Sequence, residues 1–189
     1  MKKTLFLSPP TFDGYDGGAG SRYQCKREVK SFWYPTWLAQ LAALIPDSKL
    51  IDAPARGLEL SDILPMAGDY EFLVLYTSTP SFANDIKVAE AFKEKNSDLL
   101  IGFCGAHVAV NNEVAIKASP VIDFVCDAEF DFTIQEIAEG KPLDEVVGIT
   151  ILKDGEPHFT GQRQIIEDMD SLPWVTKVYK RDLVTTDYY

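Results

Sequence analysis

The 189 residues carry a formal net charge of −11, with an isoelectric point near 4.6. A surface of that sign cannot replace the counterions of a nucleic acid, and an anionic membrane repels it. With 46% hydrophobic and 12% aromatic residues the chain can bury one sizeable core, and no run reaches the ~18 apolar residues of a membrane span.

Three cysteines, Cys25, Cys104 and Cys126, are too widely spaced for a CxxC metal pair or a disulfide framework. The two histidines, His107 and His158, are too far apart to found a metal cluster. Met1-Lys2-Lys3 precedes an apolar run too short for a signal sequence, so the cytoplasm is the expected compartment.

Thr4-Leu5-Phe6-Leu7 reads as a first strand, stopped by Ser8-Pro9-Pro10 because proline cannot continue a central ladder. A loop follows with four glycines between Thr11 and Gly20, then a basic patch, Ser21–Lys30, of four cations and one anion. Trp37, Leu38, Leu41, Leu44 and Ile45 recur at helical spacing between Pro35 and Pro46. Lys49–Ala53 is a short second strand, and Leu58–Gly68 a helix weakened by Pro65.

Glu71–Tyr76 is an apolar third strand that ends in Thr77-Ser78-Thr79-Pro80-Ser81. The helix after it runs to about Lys95, with Ser81 or Asn84 as its cap. Leu99–Cys104 is a fourth strand ending in Gly105-Ala106-His107, followed by a helix over Val114–Ala118. Ile122–Cys126 is a fifth strand ending in Asp127-Ala128-Glu129, and a helix runs from Phe130 to a glycine stop at Gly140. Val147–Leu152 and Pro157–Thr160 flank Asp154-Gly155 as a β-hairpin, and Ile165–Pro173 is a mixed acidic and apolar connector.

This alternation predicts an α/β fold: a doubly wound, mainly parallel five-stranded sheet over residues 1–145, with a hairpin and linker over 146–189. Ligands of such sheets bind beyond the carboxyl ends of the strands, where the strand order reverses. The loops that land there are Ser8–Gly20, Thr77–Ser81, Gly105–His107 and Asp127–Glu129. No GxGxxG opens a helix after the first strand, and no P-loop is present. Ser78, His107 and Asp13 could compose a hydrolytic triad only without the GxSxG elbow such enzymes use, and Ser-Pro-Pro after the first strand does not suit a phosphate-accepting receiver.

The ordered set of a strand ending in Pro-Pro, then Thr77-Ser78-Thr79-Pro80-Ser81-Phe82, Gly105-Ala106-His107 and Asp123–Asp131 resembles the N-terminal cobalamin-binding domain of B12-dependent radical SAM proteins. Residues 148–155 and 166–173 are similar to the hairpin and linker that join that domain to the radical SAM barrel in the family. Residues 12–24 and 31–40 look most like the hopanoid-biosynthesis-associated branch, and some relatives carry a magnesium-protoporphyrin ester cyclase label.

The resemblance implies a flavodoxin-like fold and a cobalamin contacted by Pro10, Thr11, Thr77, Ser78, Thr79, Pro80, Gly105, Ala106, His107 and Glu129. Ser78 would lie near the buried nucleotide tail, and Gly105-Ala106 would leave room for it. Asp13–Gly18 has the frame of the family's first motif, but Tyr15 stands where the cobalt-ligating histidine would be, so no histidine lower ligand comes from this loop and the lower face is expected to be open or covered by a side chain such as Tyr15. His107 is expected to pack or make a polar contact, and His158 to lie at the surface.

The CxxxCxxC triad of radical SAM enzymes is absent from the chain. The [4Fe–4S] cluster and S-adenosylmethionine would therefore belong to a barrel elsewhere in a longer protein, with this part binding rather than catalysing. Two readings stand. One is a corrinoid-binding domain partnered with that barrel. The other is a domain that keeps the fold without cobalamin and shapes the barrel's substrate channel. The second is motivated by the aromatic and basic stretch 11–34, with Phe12, Tyr15, Tyr23, Phe32, Trp33 and Tyr34 beside Arg22, Lys26 and Arg27.

Overall fold

A computed structural model describes residues 1–10, 12 and 33–188. The apolar runs form strands β1 (Thr4–Ser8), β2 (Ser48–Asp52), β3 (Phe72–Tyr76), β4 (Leu100–Cys104) and β5 (Phe124–Cys126). Every residue of β1, β3 and β5 is buried, as expected of parallel strands covered on both faces. These five strands pair in parallel in the order β2-β1-β3-β4-β5.

The hairpin is part of the same sheet. Strands β6 (Ile149–Lys153) and β7 (Glu156–Phe159) add antiparallel to β5, so the sheet has seven strands where the sequence suggested five. The physical reason is burial: Ile149 and Ile151 share one core with Cys126, Ile134 and Ile137. Asp154 and Gly155 both take positive φ, the geometry of a type I′ turn.

Helix α1 (Thr36–Leu44) follows Pro35. Short helices α2 (Ala53–Arg56) and α3 (Leu60–Ile63) lead into a 3-10 turn over Leu64–Asp69. The single helix expected over Leu58–Gly68 is thus broken, because Pro65 has no N–H to continue an α-helical ladder. Helix α4 (Phe82–Lys95) matches its apolar spacing. Between β4 and β5 lie two helices, α5 (Ala106–Val110) and α6 (Asn112–Lys117), where only the second was expected. Helix α7 (Asp131–Ala138) ends at Gly140, whose φ is 98°.

The sheet separates two apolar layers. Phe6, Phe72, Val74, Tyr76, Cys104 and Phe124 face α1 and α7. Leu5, Leu7, Leu73, Leu75, Ile101 and Phe103 face α4 and the 3-10 turn. Gly102 makes room for the buried Phe124 ring, since a Cβ there would lie 2.1 Å from Phe124 Cζ.

The connector over Ile165–Pro173 has little regular structure, but the chain after it returns to the sheet as α8 (Thr176–Asp182) and a 3-10 turn over Thr185–Asp187. Asp182 accepts a hydrogen bond from the Leu50 amide of edge strand β2 at 2.9 Å and pairs with Lys49 and Arg181. Tyr34 stacks between Tyr179 and Tyr188, with ring centroids 4.4 and 4.3 Å away, and the Tyr188 hydroxyl donates to Asp52 at 2.7 Å. The β2 edge is therefore covered, which protects it from pairing with another chain.

Burial alone would raise the Asp182 carboxyl, but Arg181, the Leu50 amide and Lys49 outweigh it and hold it below its usual 3.8. Its contribution is complete above that ordinary value and is lost as pH falls through the lower folded-state value. Asp182→Asn is expected to cost about 1–3 kcal/mol at pH 7. Urea unfolding should show that gap closing as pH falls below the depressed folded-state value, where both proteins carry a neutral group.

Candidate functional site at the carboxyl edge of the sheet

Strand order reverses between β1 and β3, so the loops beyond their carboxyl ends are where this architecture places a ligand. Ser8, Pro9 and Pro10 are buried there. The ladder between β3 and β4 runs one residue further, as the Thr77 amide donates to the Cys104 carbonyl at 2.8 Å. Gly105 then turns away with φ +114°, and a Cβ on it would lie 2.4 Å from the Thr77 carbonyl oxygen. Only glycine permits both the turn and that approach. The space its side chain would take is filled by the neighbouring loop.

The β3–α4 loop is tied to itself. Ser81 precedes α4, but its hydroxyl does not cap the helix. It accepts from the Ser78 amide at 3.1 Å and lies 3.0 Å from the Ser78 hydroxyl. Thr79 and Pro80 are exposed. Thr79 Oγ1 lies 3.2 Å from Nδ1 of His107, whose ring packs on Phe82 at 4.5 Å. Partial burial lowers the imidazole from its usual 6.5, which favours the neutral ring.

Beneath this loop is a carboxyl. Asp85, in the first turn of α4, is fully buried; the Thr77 hydroxyl donates to its Oδ2 at 2.6 Å, and Oδ1 has no hydrogen-bond partner among the described residues. Burial raises it to about 7, against the lowering effect of the Thr77 hydroxyl and, less, of the nearby polar side chains of Ser81 and Asn84.

On the other side of the sheet the same loops open a cleft of about 230 Å³. Its walls are Trp37 of α1, Tyr76, Gly105, Ala106 and Ala109 of the β4–α5 corner, and Asp127 to Asp131 after β5. Phe130 meets Tyr76 edge-on at 6.5 Å. Asp131 is raised to about 6, mainly by burial and also by the negative Glu129. Glu129 spends one carboxylate oxygen on the Ile166 amide at 2.5 Å, which straps the connector beside the cleft. Cys104 and Cys126 are buried in the same layer as Tyr76; burial raises both thiols, keeping them protonated and unreactive. A larger open groove of about 610 Å³, lined by Lys2, Tyr70, Glu71, Asn96 and Lys141, lies at the opposite edge, away from these loops.

The expected site residues therefore divide. Gly105, Ala106 and Glu129 line the cleft. Thr77, Ser78, Thr79, Pro80 and His107 form the hydrogen-bonded loop system beside it. Pro10 is buried after β1, while Thr11, Tyr15 and the basic patch lie outside the described residues. Trp37, Tyr76, Ala109, Phe130 and Asp131 are lining residues that the sequence did not single out for the site, because each reads locally as part of a strand or helix. Among the described residues no group of three or more His, Cys, Asp or Glu side chains is placed to hold a metal ion, and no helix is long and apolar enough to cross a membrane.

No sequence model of a known protein family matches the chain. A protein of Pyrococcus horikoshii named as an uncharacterized methyltransferase is 28% identical over 198 aligned residues, which cover all of this chain and 40% of that protein. Among solved structures, the radical S-adenosylmethionine methyltransferase TsrM of Kitasatospora setae, with cobalamin and a [4Fe–4S] cluster bound, aligns with a TM-score of 0.64 at 11% identity. The alignment covers 92% of this chain and 31% of TsrM. The cobalamin-dependent S-adenosylmethionine radical enzyme OxsB aligns with a TM-score of 0.64 at 14% identity, over 96% of this chain and 24% of its own. The α/β fold is thus shared with part of two cobalamin enzymes, and the chain spans less than half the length of each of these three proteins.

The Asp85 carboxyl makes the loop pH-sensitive. Its folded-state value lies above its unfolded one, so its proton is lost more readily on unfolding; the neutral group costs little at low pH, and stability falls as pH rises from about 4 to about 7. Asp85→Asn removes this dependence. Unfolding midpoints measured from pH 4 to 8 should show the wild type losing up to about 1.4 kcal/mol per pH unit relative to the variant across that window.

Proposed function

We propose that this chain is the cobalamin-binding module of a larger radical SAM protein, and that the cleft beyond β3, β4 and β5 receives the aromatic end of the cofactor's nucleotide tail. The observation that supports this reading most directly is the cleft itself: an aromatic slot built from Trp37, Tyr76 and Phe130, at the carboxyl edge of a sheet shared with two cobalamin enzymes. Its volume of about 230 Å³ is smaller than the ~300–1,000 Å³ of a pocket that encloses a whole drug-sized ligand. It fits a bicyclic aromatic base and leaves a macrocycle on the open rim.

The residues have distinct tasks in this reading. Tyr76 and Phe130 supply flat apolar contact, and Ala106 and Ala109 keep the opposite wall shallow. Asp127, Glu129 and Asp131 disfavour an anionic phosphodiester against their wall, so the neutral base is the part that suits it. Thr79 and His107 offer polar contacts at the exposed rim. When bound, a cobalamin supplies a cobalt–carbon bond able to carry a methyl group, which agrees with the methyltransferase name of the Pyrococcus horikoshii protein. His107 is occupied by Thr79 and Phe82, so no lower cobalt ligand is assigned to it.

The iron–sulfur cluster, the S-adenosylmethionine site and the barrel are proposed for the remainder of a longer protein, as is a lipid or isoprenoid-linked substrate. That substrate class rests on the likeness of residues 12–24 and 31–40 to the hopanoid-associated branch.

A second reading keeps the fold without the cofactor. The exposed Trp33, Trp37 and Trp174 favour it, since exposed aromatic surface suits contact with a neighbouring domain, and Trp37 belongs to the cleft wall itself. One titration decides between the two. The purified chain, mixed with hydroxocobalamin and passed through gel filtration, should retain corrinoid absorption; a colourless protein would leave only the second reading. Ala109→Trp, which fills the cleft from a half-buried position, should cut retention at least tenfold with an unchanged thermal midpoint. Undiminished binding by that variant would move the tail elsewhere.

A further inference from the structure

Three buried side-chain oxygens lack a hydrogen-bond partner among the described residues: Ser8 Oγ, Asp85 Oδ1 and Thr150 Oγ1. A buried polar atom without a partner costs free energy, so each calls for a cause. Asp85 has one, because a carboxyl can take up a proton and lose its charge. Thr150 lies in β6, outside the five parallel strands, where no ligand loop arrives. Ser8 is different in position: it is the last residue of β1, at the point where strand order reverses.

The register fixes its direction. Leu7 pairs with Leu75, and both face the α4 layer. The next residues along, Ser8 and Tyr76, therefore turn to the α1 and α7 layer together. Tyr76 packs in that layer and also lines the cleft. The segment that follows Ser8 is Pro9-Pro10, two residues without a backbone N–H. Among the described residues at the end of β1, the Ser8 hydroxyl is thus the side-chain donor at the switch point, fully buried on the face of the sheet that carries Tyr76, behind rather than among the residues that line the cleft.

We propose that Ser8 is a further ligand-contacting residue, whose hydroxyl donates a hydrogen bond to a polar atom of the bound nucleotide tail. This rests on the cobalamin reading and deepens it by adding β1 to the strands that hold the cofactor. The free protein bears an unsatisfied hydroxyl at this position because the partner arrives with the ligand.

The proposal separates binding from stability, so the test reads both. Ser8→Ala removes the orphaned hydroxyl and nothing that it holds in the free chain. Without cobalamin, its thermal midpoint should equal or exceed that of the wild type. Titrated with hydroxocobalamin and followed by visible absorbance, it should bind about three- to tenfold more weakly, the worth of one neutral hydrogen bond. Thr150→Val, which removes the other orphaned hydroxyl, should match it in stability and keep wild-type affinity.

A Ser8→Ala protein with unchanged affinity would overturn the proposal and leave the hydroxyl to a trapped water. A clear loss of stability in the cofactor-free variant would overturn it too, by showing a structural partner. If the wild type itself binds no corrinoid, the cobalamin reading fails, which the wild-type titration reports independently of either variant.

Discussion

At Gly105 a Cβ would lie 2.4 Å from the Thr77 carbonyl oxygen, closer than any side chain can come. The contact forces the ends of β3 and β4 together and adds the bond from the Thr77 amide to the Cys104 carbonyl. With φ at +114°, the same residue turns the chain straight into α5. The polar side chains that the two loops carry are then divided between the faces of the sheet. The Thr77 hydroxyl bonds Asp85, and Ser78 bonds Ser81, on the α4 side. Gly105, Ala106 and Ala109 form the shallow wall of the cleft on the other. One close approach between backbones therefore sets both the closed hydroxyl network and the open slot.

The outer wall of that slot is fixed from further away. Trp37 stands on the first turn of α1, and α1 is held by the end of the chain: the Gln40 amide donates to the Pro173 carbonyl, and the Tyr179 hydroxyl lies 2.9 Å from Thr36. Tyr34, immediately before α1, is stacked between Tyr179 and Tyr188. On the β5 side, Glu129 holds Ile166, and Arg163 ties Glu136 to the Val147 carbonyl. Residues 163–188 thus run from one wall of the cleft to the other. Their aromatic and charged contacts cover the β2 edge and also set the distance between the walls.

Much of this was legible in the sequence, and the parts that were not share a cause. Parallel strands buried on both faces must be continuous apolar runs, so Phe72–Tyr76 and Leu100–Cys104 could be placed almost to the residue. Asp154-Gly155 named its own turn. What the local pattern could not carry was pairing: that Ile149 would sit opposite Cys126 and make the hairpin part of the sheet depends on residues more than twenty positions apart. Helix α5 begins at a glycine that was read as loop, and α8 is stabilised by Asp182 reaching Leu50 across 132 positions. Ser81 looked like a helix cap by type and position, yet its hydroxyl had a nearer partner in Ser78. The resemblance to cobalamin domains gave the fold that the structural alignments bear out; its finer branch rested on residues that lie mostly outside the described ones.

Trp37, Tyr76, Ala109, Phe130 and Asp131 escaped the sequence, and Ser8 was legible only as the start of a loop. A serine at a strand end, followed by prolines, is an ordinary stop signal, and nothing local says whether its hydroxyl is satisfied. Only the packed structure shows that hydroxyl buried without a partner, two residues past Phe6 on the cleft side of the sheet. The same cost stands at Thr150 in β6, so it is the position at the reversal of strand order that sets Ser8 apart. The Asp85 carboxyl under the β3 loop and the Ser8 hydroxyl at the end of β1 lie on opposite faces of the sheet at its reversal point. Two of the three orphaned buried oxygens among the described residues thus lie at the carboxyl edge, one on each face of the sheet.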